Sequence, residues 1–288
     1  MTTTLRPSGP LQQADDGTLA RSYEVCVNSR PVGTVRVATL PAPGRPLGTI
    51  SDLRVDEADR GRGRGTVAAL AAEEVLRGWR CERIRVSVPV DAHAARRLAG
   101  ALGYVETGHV LAKDVGPAEG ADGAGPAEDT GPTGLTEGAG PAERADPAGP
   151  DGPAPGGVEI RAMTDAEAAA WITAEPGRAA LLPDGPATGG TLLHVAVRGG
   201  TRIGHLWTGW RDLPTGERVP YVWEVAVAEA ERGRGHGRRL MRFAERVVRD
   251  AGGARLVLRV DPGNAPARAL YASLGYRPLL TDLEKTLY

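Results

Sequence analysis

Apolar positions follow the same succession of strand and helix periods in two separate parts of the chain. A β-rich run at 50–55, and another at 222–227, leads into a glycine-rich loop. After each loop, apolar side chains recur at i, i+4, i+7 and i+11, which is the spacing of an amphipathic helix. The pattern therefore predicts strand, loop and helix twice. The helical positions are Ala68, Ala72, Val75 and Trp79 in the first part and Leu240, Ala244, Val247 and Ala251 in the second.

Further elements are predicted in the same order in both parts. Alternating apolar residues at 84–88 and 256–260 predict a strand, and apolar positions at 95–102 and 267–274 predict a second helix. A final strand is then expected to close each part. Upstream strand pairs are predicted at 23–27 with 31–38 and at 192–198 with 202–210.

The two parts differ before their first strand pair. Thr164 and Glu167 form a capping-box pattern, which predicts a helix over 164–173. The first 20 residues are polar and interrupted by proline, so no corresponding helix is expected there.

An ungapped internal repeat relates the two parts. When the chain is shifted by 172 residues, 20 of the 50 positions at 55–104 are identical to their partners at 227–276. Both copies end in Leu-Gly-Tyr, at 102–104 and 274–276. The sequence thus predicts two related domains.

The stretch between the copies has a different composition. Residues 115–157 contain 12 Gly, 8 Pro, 9 Ala and 8 acidic residues among 43. Such a stretch cannot bury enough surface to offset the entropy of ordering it. We interpret it as a disordered Gly/Pro/Ala/acidic linker. It separates a first half, residues 1–114, from a second half, residues 158–288.

The glycine-rich segments are Arg-Gly-Arg-Gly-x-Gly at 60–65, the first glycine loop, and at 232–237, the second glycine loop. A glycine loop between strand and helix gathers backbone N–H groups and the helix amino end around an anion. Thr66 and Arg238 stand where a Gly-x-Gly-x-x-Gly dinucleotide motif needs its last glycine, and Gly-Lys-Ser/Thr is absent. Neither the dinucleotide nor the P-loop interpretation therefore holds.

The loop, the following helix and the Leu-Gly-Tyr about 40 residues later resemble the acetyl-CoA signature of the GNAT acyltransferase superfamily, Arg/Gln-x-x-Gly-x-Gly/Ala. The resemblance covers about 50 residues of each half closely and the upstream strands loosely. It implies an α/β (α+β) fold of two GNAT-like domains, each a mixed, mostly antiparallel central sheet flanked by helices. It also implies an N-acetyltransferase with acetyl-CoA as the acyl donor.

For the second half, the resemblance implies particular contacts with acetyl-CoA. Backbone N–H groups of the second glycine loop are expected to hold the pyrophosphate, because a β-carbon would keep the backbone from the phosphates. The strand edge at 225–227 is expected to pair with the pantetheine amide and hold the thioester carbonyl. The predicted cofactor-binding residues are Val225, Ala226, Val227, Arg232, Gly233, Arg234, Gly235, His236, Gly237, Arg238 and Asn264.

Acyl transfer to an amine needs a neutral amine, a polarised carbonyl and a proton for the departing thiolate. Tyr271, which the resemblance puts beside the sulfur, is the predicted general acid; its alternative role is a core aromatic. Glu224 is predicted to receive the amine proton, directly or through water, or to bind a cationic acceptor; its alternative is a solvated strand carboxylate. His236 is expected near phosphate, and His194 and His205 are expected to be packing or surface residues.

The first half departs from the family pattern. Ala92 stands opposite Asn264 and Ala99 opposite Tyr271, so the pantetheine contact and the acid are both missing. We therefore expect a degenerate domain that either binds CoA weakly or serves only to pack. Its vestigial cofactor loop is Arg60, Gly61, Arg62, Gly63, Arg64 and Gly65.

Composition narrows the function class. The 35 basic and 36 acidic residues give a formal charge of −1, which argues against nucleic acid as a partner. No apolar run reaches membrane-spanning length, and the amino terminus lacks a signal-peptide pattern, so a cytoplasmic location is expected. Two cysteines allow neither a disulfide scaffold nor a four-thiolate zinc site, and no metal is predicted.

The acceptor is expected to be the amine of a small molecule or a peptide. Trp207, Trp210, Tyr221 and Trp223 cluster before Glu224, and an aromatic, acidic pocket suits a cationic amine. Antibiotic, polyamine, peptide amino terminus and protein lysine all stay open, as does the oligomeric state.

Two other functions compete with the acetyltransferase acting on an unnamed amine. One is a tandem acyl-CoA sensor or scaffold without turnover. The other is an acetyltransferase similar to mycothiol synthase, another tandem protein of the family, to which the acidic linker and the shortened first half lend little support.

Overall fold

The computed structural model reproduces the repeat as two similar successions of elements. The described residues are 3–40, 45–116, 157–182, 184–213 and 216–287, so the predicted linker lies almost wholly outside the described residues. In the first half the elements are β1 (Thr3–Pro7), β2 (Gln12–Gln13), β3 (Leu19–Val27), β4 (Arg30–Leu40), β5 (Leu47–Val55), α1 (Arg64–Gly78), β6 (Arg83–Pro89), α2 (His93–Ala101) and β7 (Val105–Asp114).

The second half repeats this order and adds two helices after its first strand. None of the helices in the described part of the chain is long and apolar enough to cross a membrane. The elements are β8 (Val158–Ala162), α3 (Asp165–Thr173), α4 (Pro176–Leu181), β9 (Leu192–Arg198), β10 (Thr201–Asp212), β11 (Arg218–Val227), α5 (His236–Asp250), β12 (Arg255–Val260), α6 (Ala265–Ser273) and β13 (Arg277–Thr286).

The amino ends of the two halves differ partly as predicted. Thr164 and Glu167 form the capping box of α3: the Thr164 side chain accepts from the Glu167 N–H, and the Glu167 carboxylate accepts from the Thr164 N–H. No element was predicted within the first 20 residues, yet β1 lies there and pairs antiparallel with β3. Its side chains are exposed or half-buried, so no apolar alternation signals this edge strand.

All thirteen strands of the described residues belong to one sheet that runs through both halves. Pairing is antiparallel except between β5 and β6 and between β11 and β12, which are parallel. The predicted mixed, mostly antiparallel sheet with flanking helices is thereby confirmed. The strand order is β1-β3-β4-β5-β6-β13-β7-β12-β11-β10-β9-β8, with β2 also paired to β3.

The final strands are exchanged between the halves. Strand β13 of the second half pairs with β6 of the first, and β7 of the first half pairs with β12 of the second. The expectation that each final strand closes its own half is therefore wrong. Leu283 and Leu287 complete the hydrophobic core of the first half, and Leu111 and Val115 complete that of the second.

Two buried ion pairs at equivalent positions join each exchanged strand to the half that receives it. Lys285 of β13 lies 2.6 Å from Glu73 of α1, and Lys113 of β7 lies 2.6 Å from Glu245 of α5. Both glutamates are buried. Lys113 and Lys285 are the only lysines in the chain.

A third polar contact spans the centre of the sheet. Asp282 of β13 is completely buried and accepts hydrogen bonds from the Ser87 hydroxyl at 2.6 Å and the Arg259 Nε at 2.9 Å. Arg259 also donates to the Thr107 carbonyl at 2.7 Å. Strands β6, β7, β12 and β13 are thus connected through one carboxylate and one guanidinium.

We expect that neither half folds alone, because each lacks a strand and part of its core. Fragments 1–116 and 157–288 should be unfolded when separate and should form a folded 1:1 complex when mixed. Circular dichroism and analytical ultracentrifugation would measure this. A separate fragment with a cooperative melting transition would contradict the exchange.

We expect Lys113→Ala and Lys285→Ala each to lower the free energy of unfolding by about 3 kcal/mol, because each leaves a buried carboxylate without its partner. The matched control is Arg255→Ala, whose ion pairs with Asp114 and Glu217 are exposed and whose cost should stay below about 1 kcal/mol. Urea denaturation measures all three. Equal decreases in the free energy of unfolding for the lysine variants and the control would show that the buried ion pairs do not stabilise the exchanged strands.

Candidate functional site

Both glycine loops have the backbone shape that their sequence predicts. Gly61 and Gly63 in the first, and Gly233 and Gly235 in the second, have φ between +71° and +83°, a left-handed conformation that favours glycine. A β-carbon at any of the four would meet no atom within 4 Å. The protein's own packing therefore leaves the space in front of these loops open.

The helix that follows each loop begins without a side-chain cap. Gly63 is the N-cap of α1 and Gly235 that of α5, and neither offers a side-chain acceptor to the first-turn N–H groups. Such free N–H groups, together with the positive end of the helix dipole, attract an anion. Both halves thus keep an anion-binding geometry.

An arginine holds each loop, and a half-buried carboxylate lies behind the second one. Arg232 donates through Nε to the Val227 carbonyl at 3.2 Å, and Arg60 makes the equivalent bond in the first loop. Behind the second loop, the Glu231 carboxylate is ion-paired with Arg198 and lies 3.4 Å from the Nε2 atom of His236. His236 is therefore part of the loop's support rather than a free side chain.

The remaining predicted cofactor residues fall in three places. Pairing between β11 and β12 ends at Val222 and Leu258. The residues of β11 nearest the loop are half-buried and have no partner in β12; they are Val225, Ala226 and Val227. Asn264 caps α6 by accepting from the Ala267 N–H at 3.1 Å. The exposed loop positions are Arg232, Gly233, Arg234 and Gly235, while Gly237 and Arg238 are half-buried and Arg238 donates to Ser273 at 2.6 Å.

Tyr271 lies in the core of the second half. Its ring makes an edge contact with Tyr276, with centroids 5.9 Å apart. Burial raises the pKa of the Tyr271 phenol above its ordinary value of 10.0, and the neighbouring Tyr221 adds to the rise. The phenol therefore stays protonated at neutral pH. The structure thus places Tyr271 in the core, and its role as a general acid stays a prediction.

Glu224 belongs to a charged cluster on β10, β11 and α4. Arg178 binds both carboxylate oxygens, at 2.8 and 3.1 Å, and the His205 Nε2 lies 2.7 Å from Oε1. Partial burial alone would raise the pKa of Glu224, but the hydrogen bonds from His205 and Arg178 outweigh it and lower the pKa to about 2. Glu224 is therefore ionised at neutral pH.

The charge of Glu224 also determines the tautomer of His205. An ionised carboxylate only accepts hydrogen bonds, so the Nε2 atom of His205 carries the proton. A neutral ring in this state has its Nδ1 lone pair available. Sequence reasoning treated His205 as an ordinary strand histidine, because nothing in the pattern of β10 shows that Glu224 lies beside it.

Aromatic rings surround this cluster. The Arg178 guanidinium lies 4.0 Å from the Trp171 ring centroid, and Trp171 makes edge contacts with His205 and Trp207. Trp207 in turn stacks on Trp223. The predicted group of aromatics is thus partly assembled. Tyr221 touches Trp223, whereas Trp210 lies under Arg218.

An open cleft of about 690 Å³ lies in the first half, between β5, β6, α1 and α2. Its wall includes the first glycine loop residues Arg60, Gly61, Gly63, Arg64 and Gly65. Parallel pairing of β5 and β6 ends at Thr49 and Arg85, and the cleft opens where the strands diverge. Among the described residues, no group of three or more His, Cys, Asp and Glu side chains could hold a metal ion.

Comparisons with known proteins agree with this geometry. The sequence model of the Acetyltransferase (GNAT) family matches residues 5–104 and 161–276. A mycothiol acetyltransferase from Beutenbergia cavernae is 30% identical over 81% of this chain and 75% of its own length. A mycothiol acetyltransferase from Amycolatopsis mediterranei is 30% identical over 97% of this chain and 88% of its own length.

Two solved structures share the fold of this chain. A tandem GNAT protein from the clavulanic acid biosynthesis pathway superposes with a TM-score of 0.55 at 19% identity, covering 95% of this chain and 85% of that one. A GCN5-related N-acetyltransferase from Sphaerobacter thermophilus superposes with a TM-score of 0.56 at 17% identity, covering 92% and 80%. At these identities the likeness concerns the fold alone.

We expect Glu224→Gln to lower the free energy of unfolding by about 2 kcal/mol at pH 7, because it leaves the largely buried Arg178 without its counter-charge. The folded-state pKa of about 2 lies below the ordinary 4.5, so the carboxylate stabilises the fold above pH 4.5 and loses this effect as the pH falls towards 2. Denaturation of both proteins should show nearly the same difference at pH 7 and pH 5 and a smaller difference at pH 3. A difference in unfolding free energy that does not change with pH would contradict the lowered pKa of Glu224.

Proposed function

The chain belongs to the acetyltransferase (GNAT) family, whose acyl donor is acetyl-CoA, and from this premise we propose an N-acetyltransferase with its active site in the second half. The acceptor would be the primary amine of a small molecule or a peptide. One observation carries the proposal: the second half alone combines a glycine loop with a buried phenol, Tyr271, and with the His205–Glu224 pair. At the matching positions the first half has Ala99, Thr34 and Asp52. Thr34 matches His205 because Gly33 pairs with Val55 as Gly204 pairs with Val227.

Donor binding would use the groups that the fold leaves free. The second glycine loop and the start of α5 would bind the pyrophosphate, because the space beside Gly233 and Gly235 is open and the first-turn N–H groups of α5 have no side-chain cap. The edge of β11 at Val225–Val227 would pair with the pantetheine amides. The Asn264 side-chain oxygen already caps α6, so only its amide N–H₂ would be left for the pantetheine.

In the reaction the acceptor nitrogen attacks the thioester carbonyl, a C–N bond forms, and the C–S bond breaks. Tyr271 would donate its phenolic hydrogen to the departing sulfur, which leaves as a thiol. Its raised pKa keeps the proton in place beforehand, and makes a lasting phenolate costly, so the phenol must recover a proton from the acceptor side. The products are the acetylated amine and CoA, with no net proton gained or lost.

The acceptor proton would pass to His205 rather than to Glu224. A carboxylate with a pKa of about 2 is a poor base near neutral pH, because general bases work best when their pKa lies near the working pH. Glu224 would instead fix His205 with Nε2 protonated, leaving Nδ1 to accept a proton directly or through water. This makes Glu224 a positioning residue and His205 the proposed base.

The acceptor would approach beside the half-buried Trp223, because Trp171 and Trp207 are buried in the core. Rings of this kind favour a cationic or flat acceptor, but the charge of Glu224 is already matched by Arg178. A cationic acceptor would therefore form an ion pair with Glu224 only by displacing Arg178. A small amine that stacks on indole rings fits this environment better than a polycation.

A mycothiol-type acceptor is the second candidate. It is favoured by the two mycothiol acetyltransferases that are 30% identical to this chain over most of its length. The amine substrate of those enzymes, assayed beside simple polyamines and peptides, separates the two candidates. Acetylation confined to that substrate supports the mycothiol-type function, and acetylation of other amines supports the general one.

We expect Tyr271→Phe to lower turnover by about 10²- to 10⁴-fold, the usual effect of removing a positioned acid, while the Kd for acetyl-CoA changes less than about threefold. Release of free thiol measures turnover, and calorimetry measures binding. Unchanged turnover would remove Tyr271 from the mechanism.

A matched pair of glycine variants tests which half carries the chemistry. Gly235→Val should abolish transfer, because valine disfavours positive φ and its side chain would enter the space where the pyrophosphate binds. Gly63→Val makes the same change in the first glycine loop and should leave transfer intact. With both proteins folded, the reverse result would assign the chemistry to the first half.

A further inference from the structure

The cleft of the first half has a wall of two chemical kinds. One part is the first glycine loop with the uncapped start of α1, which suits an anion. The other part is aliphatic and is formed by β5, β6 and α2. Its members are Leu53, Val86, Val88, Ala95, Leu98 and Leu102. A ligand that fills this cleft must be anionic in one part and apolar in another.

The aliphatic part has extra room where the second half carries a phenol. The register of 172 residues places Ala99 opposite Tyr271, and Ala99 lines the cleft while Tyr271 lies in the core of its half. Leu98 and Leu102 keep the aliphatic character of their counterparts, Leu270 and Leu274. The ring and hydroxyl of one tyrosine are thus missing from a wall that is otherwise alike.

We propose that the first half binds an acyl-CoA whose acyl chain is longer than acetyl, with four to six carbons, and holds it without transferring it. The proposal rests on the proposed function insofar as both sites use acyl-CoA. The loop would bind the phosphates, and the alkyl chain would occupy the space beside Ala99. The first half would then be a site with its own ligand preference.

Retention without transfer follows from the missing groups. Ala99 has no proton for a thiolate, and Thr34 stands where the second half has His205. Asp52, at the position of Glu224, lies near Arg54 at 3.6 Å and about half-exposed. Neither an acid nor an imidazole base is therefore available.

The chain-length preference has a calculable size. Each methylene transferred from water into an apolar wall improves affinity by up to about fourfold. Butyryl-CoA has two more methylenes than acetyl-CoA, so its Kd for this cleft should be about tenfold lower. A site shaped for acetyl would show no gain, or a loss.

The experiment is calorimetric titration of the full chain carrying Gly235→Val, which disables the second glycine loop. Acetyl-CoA, butyryl-CoA, hexanoyl-CoA and free CoA are the probes. We expect one binding site per chain, a Kd about tenfold lower for butyryl-CoA than for acetyl-CoA, and no butyrylated amine when an acceptor is added. Equal Kd values for acetyl and butyryl probes, or no binding of any probe, would overturn the proposal.

Filling the space tests where the alkyl chain lies. Ala99→Tyr in the same background should remove the preference for butyryl-CoA and change the Kd of free CoA less than threefold. The matched control, Ala101→Tyr at an exposed position of the same helix, should leave the preference intact. If Ala99→Tyr does not fold, Ala99→Leu replaces it in the test, because leucine fills part of the same space. A preference unchanged by a folded Ala99 variant would overturn the proposal.

A separate readout distinguishes this proposal from the proposed function. Ala99→Tyr in the otherwise unaltered chain should acetylate amines at the normal rate. Loss of acetylation in that folded variant would count against placing the chemistry in the second half. The ratio of the Kd values measured in the Gly235→Val chain would still test acyl-CoA binding in the first half, whichever half carries the chemistry.

Discussion

The exchange of the last strands is the constraint on which the rest of the structure depends. Strand β13 enters the sheet beside β6, and β7 enters it beside β12, so each half completes the other's sheet and core. Loss of one strand would leave an unpaired edge and an open core in the opposite half. The Lys285–Glu73 and Lys113–Glu245 pairs add charge complementarity to this arrangement, because a buried glutamate without its lysine is costly. The two halves must therefore assemble together, which makes the first half structurally indispensable whatever it binds.

Within this common frame, the two glycine loops are alike and their surroundings differ. Both glycine loops keep their left-handed glycines, their uncapped helices and an arginine bound to the preceding strand end. The second half adds α3 and α4, and Arg178 on α4 reaches Glu224 on β11. The first half has no helix there among its described residues, and small side chains on α2 leave a cleft of about 690 Å³. The difference between the halves thus lies in what surrounds the loops.

Local patterns predicted much of this from the sequence, and long-range pairing accounts for what they missed. The strand-loop-helix order, the glycine loops and the Thr164 capping box depend on neighbours within about four residues, where periodicity and capping rules apply. The exchange could not be predicted, because β7 and β13 have the same pattern whichever half they enter. The Arg178–Glu224 contact joins residues 46 apart in the chain, and no spacing rule connects them. The cleft was missed because Ala99 was interpreted as the loss of a catalytic group, although the same substitution also creates space.

The placement of the lysines has a consequence for the chemical durability of the protein. Acyl-CoA thioesters modify amines slowly without any catalyst, and exposed lysines are the usual targets because their deprotonated amines are accessible. This chain carries its positive charge almost entirely as arginine, whose guanidinium does not deprotonate under ordinary conditions. Its two lysine ammonium groups each lie 2.6 Å from a buried glutamate, and each lysine side chain is only about one quarter exposed. The chain thus exposes little lysine side chain to a reactive thioester, and the ion pairs that join the two halves also limit access to these two amines.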